Sequence, residues 1–395
     1  MAHERTVIRG RHYRSGQPIE VVVEDGKLKR IDEWEGAGDS LSQQPLPLIG
    51  PGLVDLQLNG YQGMDFNADS ITPEVVHSVT RALWKEGVTS YYPTVITNSA
   101  AFIEQAVSAI ACACEEDPLT AACIAGIHLE GPFISPEDGA RGAHPKAHVT
   151  APDWELLQRW QDAAGGRIRI VTLSPEWPEA PAFIRRCVEQ GIVVSIGHTA
   201  ASPEQIRAAA EAGASMSTHF GNGAHPVLPR HPNYLWEQLA CNELWSCVIA
   251  DGFHLPDAVL KVVLKVKEEQ MLLVSDAVHL SGMPPGAYET PVGGRVVLTE
   301  SGRLHLADDP RLLAGSAQML LWSIAHMVGR GLCSLADAWE MASVRPAAKV
   351  GLQAANGLEF GAPADLLLME WDGSKAIPVE VYKSGASMYT TKRQG

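Results

Sequence analysis

Eight short apolar runs, each followed by polar residues, limit the folds open to this chain. The runs lie between residues 53 and 275, and helical patterns separate most of them. Two of these helices begin Thr72-Pro-Glu and Ser202-Pro-Glu-Gln, which place a hydroxyl residue at the N-cap and proline at the first helical position. The strand candidates are Leu53–Leu58, Thr89–Ile96, Ile124–Leu129, Ile168–Leu173, Val193–Ile196, Ser215–His219, Cys247–Ala250 and Leu272–Ser275.

Eight strand–helix units in series favour a closed (β/α)₈ TIM-type barrel over an open doubly wound sheet. The first strand is not followed by the Gly-x-Gly-x-x-Gly turn typical of the open sheet. The chain has 395 residues, more than the roughly 250 of a lone barrel. Residues 281–315 interrupt the alternation with a predicted hairpin, Val296–Leu306, before the last barrel helix near Ser316–Gly329.

Both chain ends have strand patterns. Asp25-Gly26 separates two apolar runs near the N-terminus, which predicts a hairpin. Near the C-terminus, Ala364–Met369 and Ile377–Tyr382 also have strand-like patterns. We therefore predict one small β-sandwich domain from residues 1–50 and 351–395, and a barrel from residues 51–350.

Charge and cysteine content exclude some classes of protein. The net charge of −15 argues against nucleic-acid binding, which needs a basic face, although a few local cations can still hold an anionic substrate. An odd number of cysteines, seven, without a C-x-x-C pair favours a reduced, cytoplasmic location. We find neither a signal peptide nor an apolar run of about 18 residues, so we expect no membrane span.

Polar and ionisable residues follow the apolar runs, and the C-terminal ends of barrel strands meet at one mouth, where catalytic residues lie. One carboxylate and two imidazoles, Glu130, His198 and His219, form a set that suits a catalytic zinc or similar divalent ion. Each alone is more often a structural core residue. The residues at the strand ends are Gln57, Asn59, Glu130, His198, His219, Asp251, His254 and Asp276.

Two further residues suit acid–base and electrostatic chemistry. Asp276 follows the last strand, where a carboxylate can take a proton from water and pass it to a leaving amine; its alternative role is a helix cap or buried ion pair. His144 lies on the loop after Glu130 and could donate a hydrogen bond to a carbonyl oxygen, although a solvated loop histidine is the simpler expectation. His225, His231 and His279 have no assigned role and are expected on loops or the surface.

Seven segments, in order, resemble the successive motifs of N-acetylglucosamine-6-phosphate deacetylases, within the amidohydrolase superfamily. The resemblance covers residues from about 50 to 350, and His-Leu-Glu-Gly-Pro is a fairly specific signal. The segments are Pro51-Gly-Leu-Val-Asp-Leu-Gln-Leu-Asn-Gly, His128-Leu-Glu-Gly-Pro-Phe, Ser195-Ile-Gly-His-Thr, Thr218-His-Phe-Gly-Asn, Ala250-Asp-Gly-Phe-His, Val274-Ser-Asp-Ala and Leu313-Ala-Gly-Ser-Ala.

The resemblance implies an enzyme that hydrolyses the acetamide of an amino sugar 6-phosphate, with one divalent ion per subunit. It implies Glu130, His198 and His219 as metal ligands, Asp276 as acid and base, and His144 as carbonyl polariser. It also implies a homodimer, because in many of these enzymes the arginine at the Arg230 position reaches the neighbouring subunit's site. The implied contacts to the sugar phosphate are Asn222, Gly223, Arg230 and His254.

Two departures from the family pattern matter. Many members of the superfamily carry His-x-His on the first strand, where this chain has Gln57 and Asn59. Amides are poor zinc ligands beside imidazole, so we expect one tightly held ion rather than two. The family's usual Arg-Glu-Pro-Gly is here Arg230-His-Pro-Asn, so the loop expected to read the phosphate is altered. Alternatives are therefore a deacetylase of a non-phosphorylated N-acetyl sugar or other N-acyl compound, and a non-catalytic binding protein.

Overall fold

The computed structural model describes residues 5–35, 46–69, 71–290 and 293–391. Parts of the predicted N-terminal domain, residues 1–4 and 36–45, therefore lie outside the described residues. The strands are β1 (Arg5–His12), β2 (Pro18–Glu24), β3 (Lys27–Glu33), β4 (Leu48–Pro51), β5 (Leu53–Leu58), β6 (Gly60–Tyr61), β7 (Met64–Asp65), β8 (Val88–Ile96), β9 (Ile127–Glu130), β10 (Ile168–Leu173), β11 (Val193–Ile196), β12 (Met216–Ser217), β13 (Trp245–Val248), β14 (Met271–Leu273), β15 (Gly286–Thr290), β16 (Gly294–Leu298), β17 (Leu304–Leu306), β18 (Leu366–Trp371), β19 (Ala376–Lys383) and β20 (Ala386–Thr390). The α-helices are α1 (Pro73–Leu83), α2 (Ala100–Glu116), α3 (Pro118–Cys123), α4 (Trp154–Ala163), α5 (Ala180–Glu189), α6 (Pro203–Glu211), α7 (Tyr234–Ala240), α8 (Asp257–Lys267), α9 (Leu320–Gly329), α10 (Leu335–Met341) and α11 (Val344–Lys349).

The predicted barrel is confirmed. Eight parallel strands pair in the order β14-β13-β12-β11-β10-β9-β8-β5, and each corresponds to one of the eight apolar runs. The seam between β14 and β5 has no regular ladder. It is closed by a bridge between Leu58 and Ala277 and by Asp55, whose Oδ1 accepts hydrogen bonds from the backbone of Gln57 and Ser275. The polar residues at the strand ends are thereby held around one mouth.

Local sequence explains where the barrel helices start. In α6, Ser202 Oγ accepts a hydrogen bond from Gln205 N, and the Gln205 side chain accepts one from Ser202 N, which is the predicted capping box. In α1, Thr72 occupies the N-cap position and Pro73 begins the helix, but the threonine side chain makes no capping hydrogen bond. Proline at the first helical position therefore contributes more at α1 than the hydroxyl does.

Both chain ends contribute to one seven-stranded sheet, in the order β20-β19-β18-β4-β1-β2-β3. The predicted hairpin joins β2 to β3, with Asp25 and Gly26 both at positive φ, 53° and 72°. The sheet curls on itself, since Lys27 bridges Pro363 and a Cβ on Gly385 would lie 2.7 Å from Val23. A separate buried cluster fills the fold of this sheet: Ile8, Ile19, Val21, Val23, Leu28, Ile49, Ala362, Ala364, Leu366, Leu368 and Val379.

A buried ion pair connects this sheet to the barrel. Lys383 Nζ lies 2.7 Å from Asp365 Oδ2 and donates a hydrogen bond to Ser90 Oγ of β8 at 3.1 Å. The interruption after β14 contains the predicted hairpin, β16–β17, with β15 as an additional edge strand. The division of the chain at residues 50 and 350 remains a prediction. Within the described residues, every helix is too short or too polar to cross a membrane.

Candidate active site

Four ionisable residues converge at the C-terminal ends of the barrel strands. Glu130 ends β9, while His198, His219 and Asp276 lie two or three residues beyond β11, β12 and β14. The last three have positive φ, 47°, 24° and 47°. Non-glycine residues rarely adopt this backbone conformation, and such outliers cluster at functional sites. The strand ends thus turn sharply and direct these side chains into the mouth.

Three potential ligand atoms lie very close together. His198 Nε2 and His219 Nε2 are 3.2 and 2.9 Å from Glu130 Oε1, and the two nitrogens are 3.0 Å apart. A tetrahedral zinc with bonds of about 2.0–2.1 Å separates its ligand atoms by roughly 3.3 Å, so this spacing fits a bound ion. All three side chains are buried.

Protonation within this cluster is strongly coupled. Burial opposes ionisation of Glu130, but hydrogen bonds from His198 and His219 hold the pKa of its carboxyl well below the usual range. Burial would likewise lower the pKa of His219, but the hydrogen bond to Glu130 and its negative charge raise the pKa to about 9. The carboxylate therefore attracts positive charge to this position, as a metal site requires.

His144 lies beside the same cluster. Its ring centroid is 4.3 Å from that of His198, and ligand atoms of Glu130, His144 and His198 all lie within 4.8 Å of one another. His144 Nδ1 is 2.8 Å from Thr97 Oγ1. Burial, followed by the charge of His198, lowers the pKa of His144 to about 3, so the imidazole is neutral. His144 is thus a buried residue of the site and not the solvated loop histidine that was the simpler expectation.

Asp276 is held by the Asn59 side chain and the Gln57 backbone, at the C-terminal end of the first barrel strand, β5. Asn59 Nδ2 donates a hydrogen bond to Asp276 Oδ1 at 2.8 Å, and Asp276 N donates to Gln57 O at 3.0 Å. Burial, followed by the charge of Glu130, raises the pKa of Asp276 to about 7. Gln57 Nε2 and Asn59 Oδ1 are buried and find no hydrogen-bond partner among the described residues. These amides therefore retain hydrogen-bonding capacity for a ligand at the mouth.

The residues expected to bind the sugar phosphate are only partly brought together. Asn222 Nδ2 donates to His219 O at 3.2 Å, and a Cβ on Gly223 would lie 2.6 Å from His198 Nδ1, so only glycine fits there. His254 Nδ1 lies 2.7 Å from Asp251 Oδ2, and both residues follow the strand β13. Arg230 is exposed and has no hydrogen bond or ion pair with any described residue.

Several neighbours of the site were not given a role from sequence. His128 is a buried core residue whose ring nitrogens lie 3.0 Å from Leu56 O and 2.7 Å from Thr172 Oγ1. Thr97, the partner of His144, directly follows β8. Thr97 thus has the same strand-end position as Glu130 and the histidines, and a hydroxyl group at such a position is the sequence signal for it. His279 lies in a loop, as expected, and is partly buried there, with Nδ1 3.1 Å from Asp65 Oδ2.

The model of the amidohydrolase family matches residues 48–388. The chain belongs to the amidohydrolase family. It is similar to the N-acetylglucosamine-6-phosphate deacetylase of Bacillus subtilis strain 168, with 36% identity over 89% of each chain. It is also 30% identical to the N-acetylgalactosamine-6-phosphate deacetylase of Escherichia coli O157:H7, over 88% of this chain and 89% of that one.

A solved amidohydrolase has a similar structure along its whole length. It is a mutant N-acetyl-D-glucosamine-6-phosphate deacetylase from Mycobacterium smegmatis in complex with N-acetyl-D-glucosamine-6-phosphate. The TM-score is 0.84 at 26% identity, and the match covers 99% of this chain and all of that chain. The likeness includes the barrel and the sheet formed by the two chain ends.

Proposed function

We propose that this amidohydrolase removes the acetyl group of an N-acetylated amino sugar 6-phosphate. N-acetylglucosamine 6-phosphate is the proposed substrate, and glucosamine 6-phosphate and acetate are the products. The observation that carries the proposal is the convergence of Glu130, His198, His219 and Asp276 at one barrel mouth, where the ligand atoms of the first three lie within 3.2 Å of one another. A non-catalytic binding protein has no need of this arrangement.

Glu130, His198 and His219 would hold one divalent ion per subunit, proposed to be zinc. Such an ion supplies Lewis-acid chemistry, which lowers the pKa of water and polarises a carbonyl. His198 Nδ1 lies 3.1 Å from Ala140 O and donates to it, so Nε2 carries the lone pair that a ligand needs. Gln57 and Asn59 offer only amide groups, which argues for a single tight ion.

Asp276 is proposed to carry the proton through the reaction. With a pKa raised to about 7, its carboxylate can take a proton from the attacking water and return it to the leaving amine. The hydrogen bond from Asn59 fixes one carboxylate oxygen and leaves the other free for this transfer. The proton that Asp276 removes from water is the one that it returns to the amine nitrogen, so the Asp276 carboxylate is restored after each turnover.

His144 is proposed to donate a hydrogen bond to the acetamide oxygen as negative charge develops there. The neutral ring can do this through Nε2 only if Nδ1 accepts a hydrogen bond. Thr97 Oγ1, 2.8 Å away, can supply that hydrogen bond when its hydrogen turns from Glu130 O, its other acceptor at 3.4 Å. Thr97 then determines the tautomer of the catalytic imidazole.

Asn222, Gly223 and His254 are proposed to contact the sugar phosphate, with Arg230 supplied by the partner subunit of a homodimer. The exposure of Arg230 in the single chain is consistent with such a contact. Two exposed apolar residues nearby, Val227 at 84% and Trp236 at 56%, also support a dimer interface in this region. A reduced cytoplasmic location is part of the proposal, and all seven cysteines are free thiols.

The same exposure of Arg230 favours one alternative, deacetylation of a non-phosphorylated N-acetyl sugar or another N-acyl compound. The relative from Escherichia coli also keeps the galactosamine epimer open. An acetate-release screen would separate these possibilities. It would test N-acetylglucosamine, N-acetylgalactosamine and N-acetylmannosamine, each with and without the 6-phosphate. The highest kcat/KM on N-acetylglucosamine 6-phosphate is expected, and preference for a neutral sugar would contradict the proposal.

A further inference from the structure

Two loops meet over the ring of His198. The β9–α4 loop (residues 131–153) carries His144, and the β12–α7 loop (residues 218–233) carries Asn222 and Gly223. A Cβ on Gly142 would lie 3.2 Å from His198 Cε1, and one on Gly223 would lie 2.6 Å from His198 Nδ1. Both loops therefore pack directly against the Nδ1–Cε1 edge of the imidazole, and a Cβ on Gly142 would lie 4.0 Å from Gly223 Cα.

His225 connects the same two loops further out. Its backbone N–H donates to Tyr234 Oη at 2.9 Å, and its Nδ1 lies 3.0 Å from the same oxygen. Its Nε2 is 3.4 Å from Glu137 Oε2, on the β9–α4 loop. Tyr234 Oη accepts from the backbone N–H, and in the tautomer with the hydrogen on Nε2 it also donates its own hydrogen to Nδ1, while Nε2–H faces Glu137. One tautomer satisfies all three contacts.

Packing reinforces these polar contacts. Only 22% of the His225 side chain is exposed, and a Cβ on Gly139 would lie 3.0 Å from its Cδ2. Gly139 also has φ of 95°, which disfavours any side chain there. Tyr234 is the buried first residue of α7, so its hydroxyl is anchored to the barrel. By contrast, Val227 in the intervening segment is 84% exposed.

We propose that His225 is a positioning residue: it holds the β12–α7 loop against the β9–α4 loop and so fixes Asn222 and Gly223 for the substrate's phosphate end. The inference rests on the proposed function. It concerns the segment Gly223-Ala-His-Pro-Val-Leu-Pro, which directly precedes Arg230 in the sequence. His225 lies outside the reacting group of residues, so it acts on binding and leaves the chemical step to them.

Steady-state kinetics test this proposal on the metal-loaded enzyme with N-acetylglucosamine 6-phosphate. His225→Ala and Tyr234→Phe should each raise KM about tenfold, which corresponds to the loss of one hydrogen bond. The value of kcat should change by less than about threefold. His225→Gln keeps a donor and an acceptor and should recover most of the lost affinity. A fall in kcat with unchanged KM would overturn the proposal.

His77 provides a matched control. On α1 it makes similar contacts, with Nδ1 2.9 Å from Thr120 Oγ1 and Nε2 3.4 Å from Glu116 Oε2, and 13% of its side chain is exposed. His77→Ala should leave KM unchanged, because no loop of the mouth depends on it. An equal rise in KM for His77→Ala and His225→Ala would mean general destabilisation and would overturn the positioning role.

Amide hydrogen exchange gives a reading that does not depend on activity. In His225→Ala and Tyr234→Phe, the amides of residues 222–228 should exchange about tenfold faster than in the wild type, while those of α7 stay protected. Unchanged exchange in both variants would overturn the inference, even in an active deacetylase. If instead the wild type deacetylates no amino sugar phosphate, the proposed function fails, and the exchange result still decides whether His225 holds the loop.

Discussion

His198 Nε2 and His219 Nε2 lie 3.0 Å apart, and both face Glu130 Oε1. Because His198 donates its Nδ1 hydrogen to Ala140 O, its neutral ring would have only a lone pair at Nε2, and this lone pair would face a carboxylate oxygen that also has lone pairs. The lone pairs of these atoms repel one another unless a proton or a cation lies between them. We therefore expect this cluster to bind a cation tightly.

Elemental analysis of the purified protein should find one tightly bound divalent ion per chain. The double variant His198→Ala with His219→Ala should lose it, since one carboxylate remains. Chelation should lower the Tm, and adding zinc back should restore it, because a ligand that binds only the folded state stabilises it. Two tight ions per chain, or metal retained by the double variant, would contradict a single site.

Asp276→Asn should reduce kcat by about 10²–10⁴-fold, the range typical of general acid–base catalysis. Asparagine keeps the shape but cannot take up the proton, and metal content should stay near normal because Asp276 is not among the proposed ligands. Parallel measurements of kcat and bound zinc separate the two effects. A near-wild-type kcat would remove Asp276 from the mechanism.

Asn59 should determine where activity falls with decreasing pH. Burial and the charge of Glu130 raise the pKa of Asp276 to about 7, while the Asn59 hydrogen bond favours the charged carboxylate. Activity should therefore fall as the pH drops below this region and Asp276 is protonated; a bound cation shifts the fall to lower pH. Asn59→Ala should shift it to higher pH. A pH profile of kcat/KM that is identical in both proteins would contradict this role.

The periodicity of the apolar runs was sufficient to predict the barrel, because strands buried on both faces are almost continuously apolar. The expectation that catalytic residues follow the barrel strands then pointed to Glu130, His198, His219 and Asp276. Contacts between distant segments could not be predicted in the same way: the pairing of His144 with Thr97, or of His225 with Glu137, depends on how separate loops fold back. Whether Arg230 is exposed likewise depends on tertiary structure. In the proposed dimer, it also depends on the second chain.

Buried neutral histidines should make stability fall in acid. Burial lowers the pKa of His128 to about 4, whereas the unfolded side chain titrates near 6.5. Between these values the unfolded chain binds a proton that the folded protein excludes, so stability is full above pH 6.5 and declines as the pH falls towards 4. At about 1.4 kcal/mol per pKa unit, His128 accounts for about 2 kcal/mol lost at pH 5.

Urea denaturation of wild type and His128→Gln at pH 7 and pH 5 measures this contribution. The variant should lose less stability than the wild type between the two pH values, by about 2 kcal/mol. The two proteins are compared because Asp55, whose pKa is raised to about 6 by burial, changes stability with pH in the opposite direction. Asp55 has this effect in both proteins, so it cancels in the difference. Parallel pH dependence of the two proteins would mean that His128 is protonated in the folded state.

Arg230→Ala is the variant that decides between the phosphorylated and the neutral substrate. A guanidinium binds a phosphate through parallel charge-assisted hydrogen bonds, each contributing about 1.5–3 kcal/mol. Loss of the side chain should therefore lower kcat/KM for N-acetylglucosamine 6-phosphate by about ten- to a hundredfold, and should barely change kcat/KM for the sugar without phosphate. Because the side chain is exposed in the single chain, we expect it to act on the site of the partner subunit.

Mixed dimers separate this arrangement from a contact within one chain. Arg230→Ala and Asp276→Asn chains, each impaired on the phosphorylated substrate, would be combined. If Arg230 acts across the interface, one of the two sites in a mixed dimer combines Arg230 of an Asp276→Asn chain with Asp276 of an Arg230→Ala chain, and activity should recover. If Arg230 acts within its own chain, every site lacks one of the two groups and no activity returns. If Arg230→Ala alone lowers kcat/KM equally for the phosphorylated and the neutral sugar, the altered loop serves a different ligand.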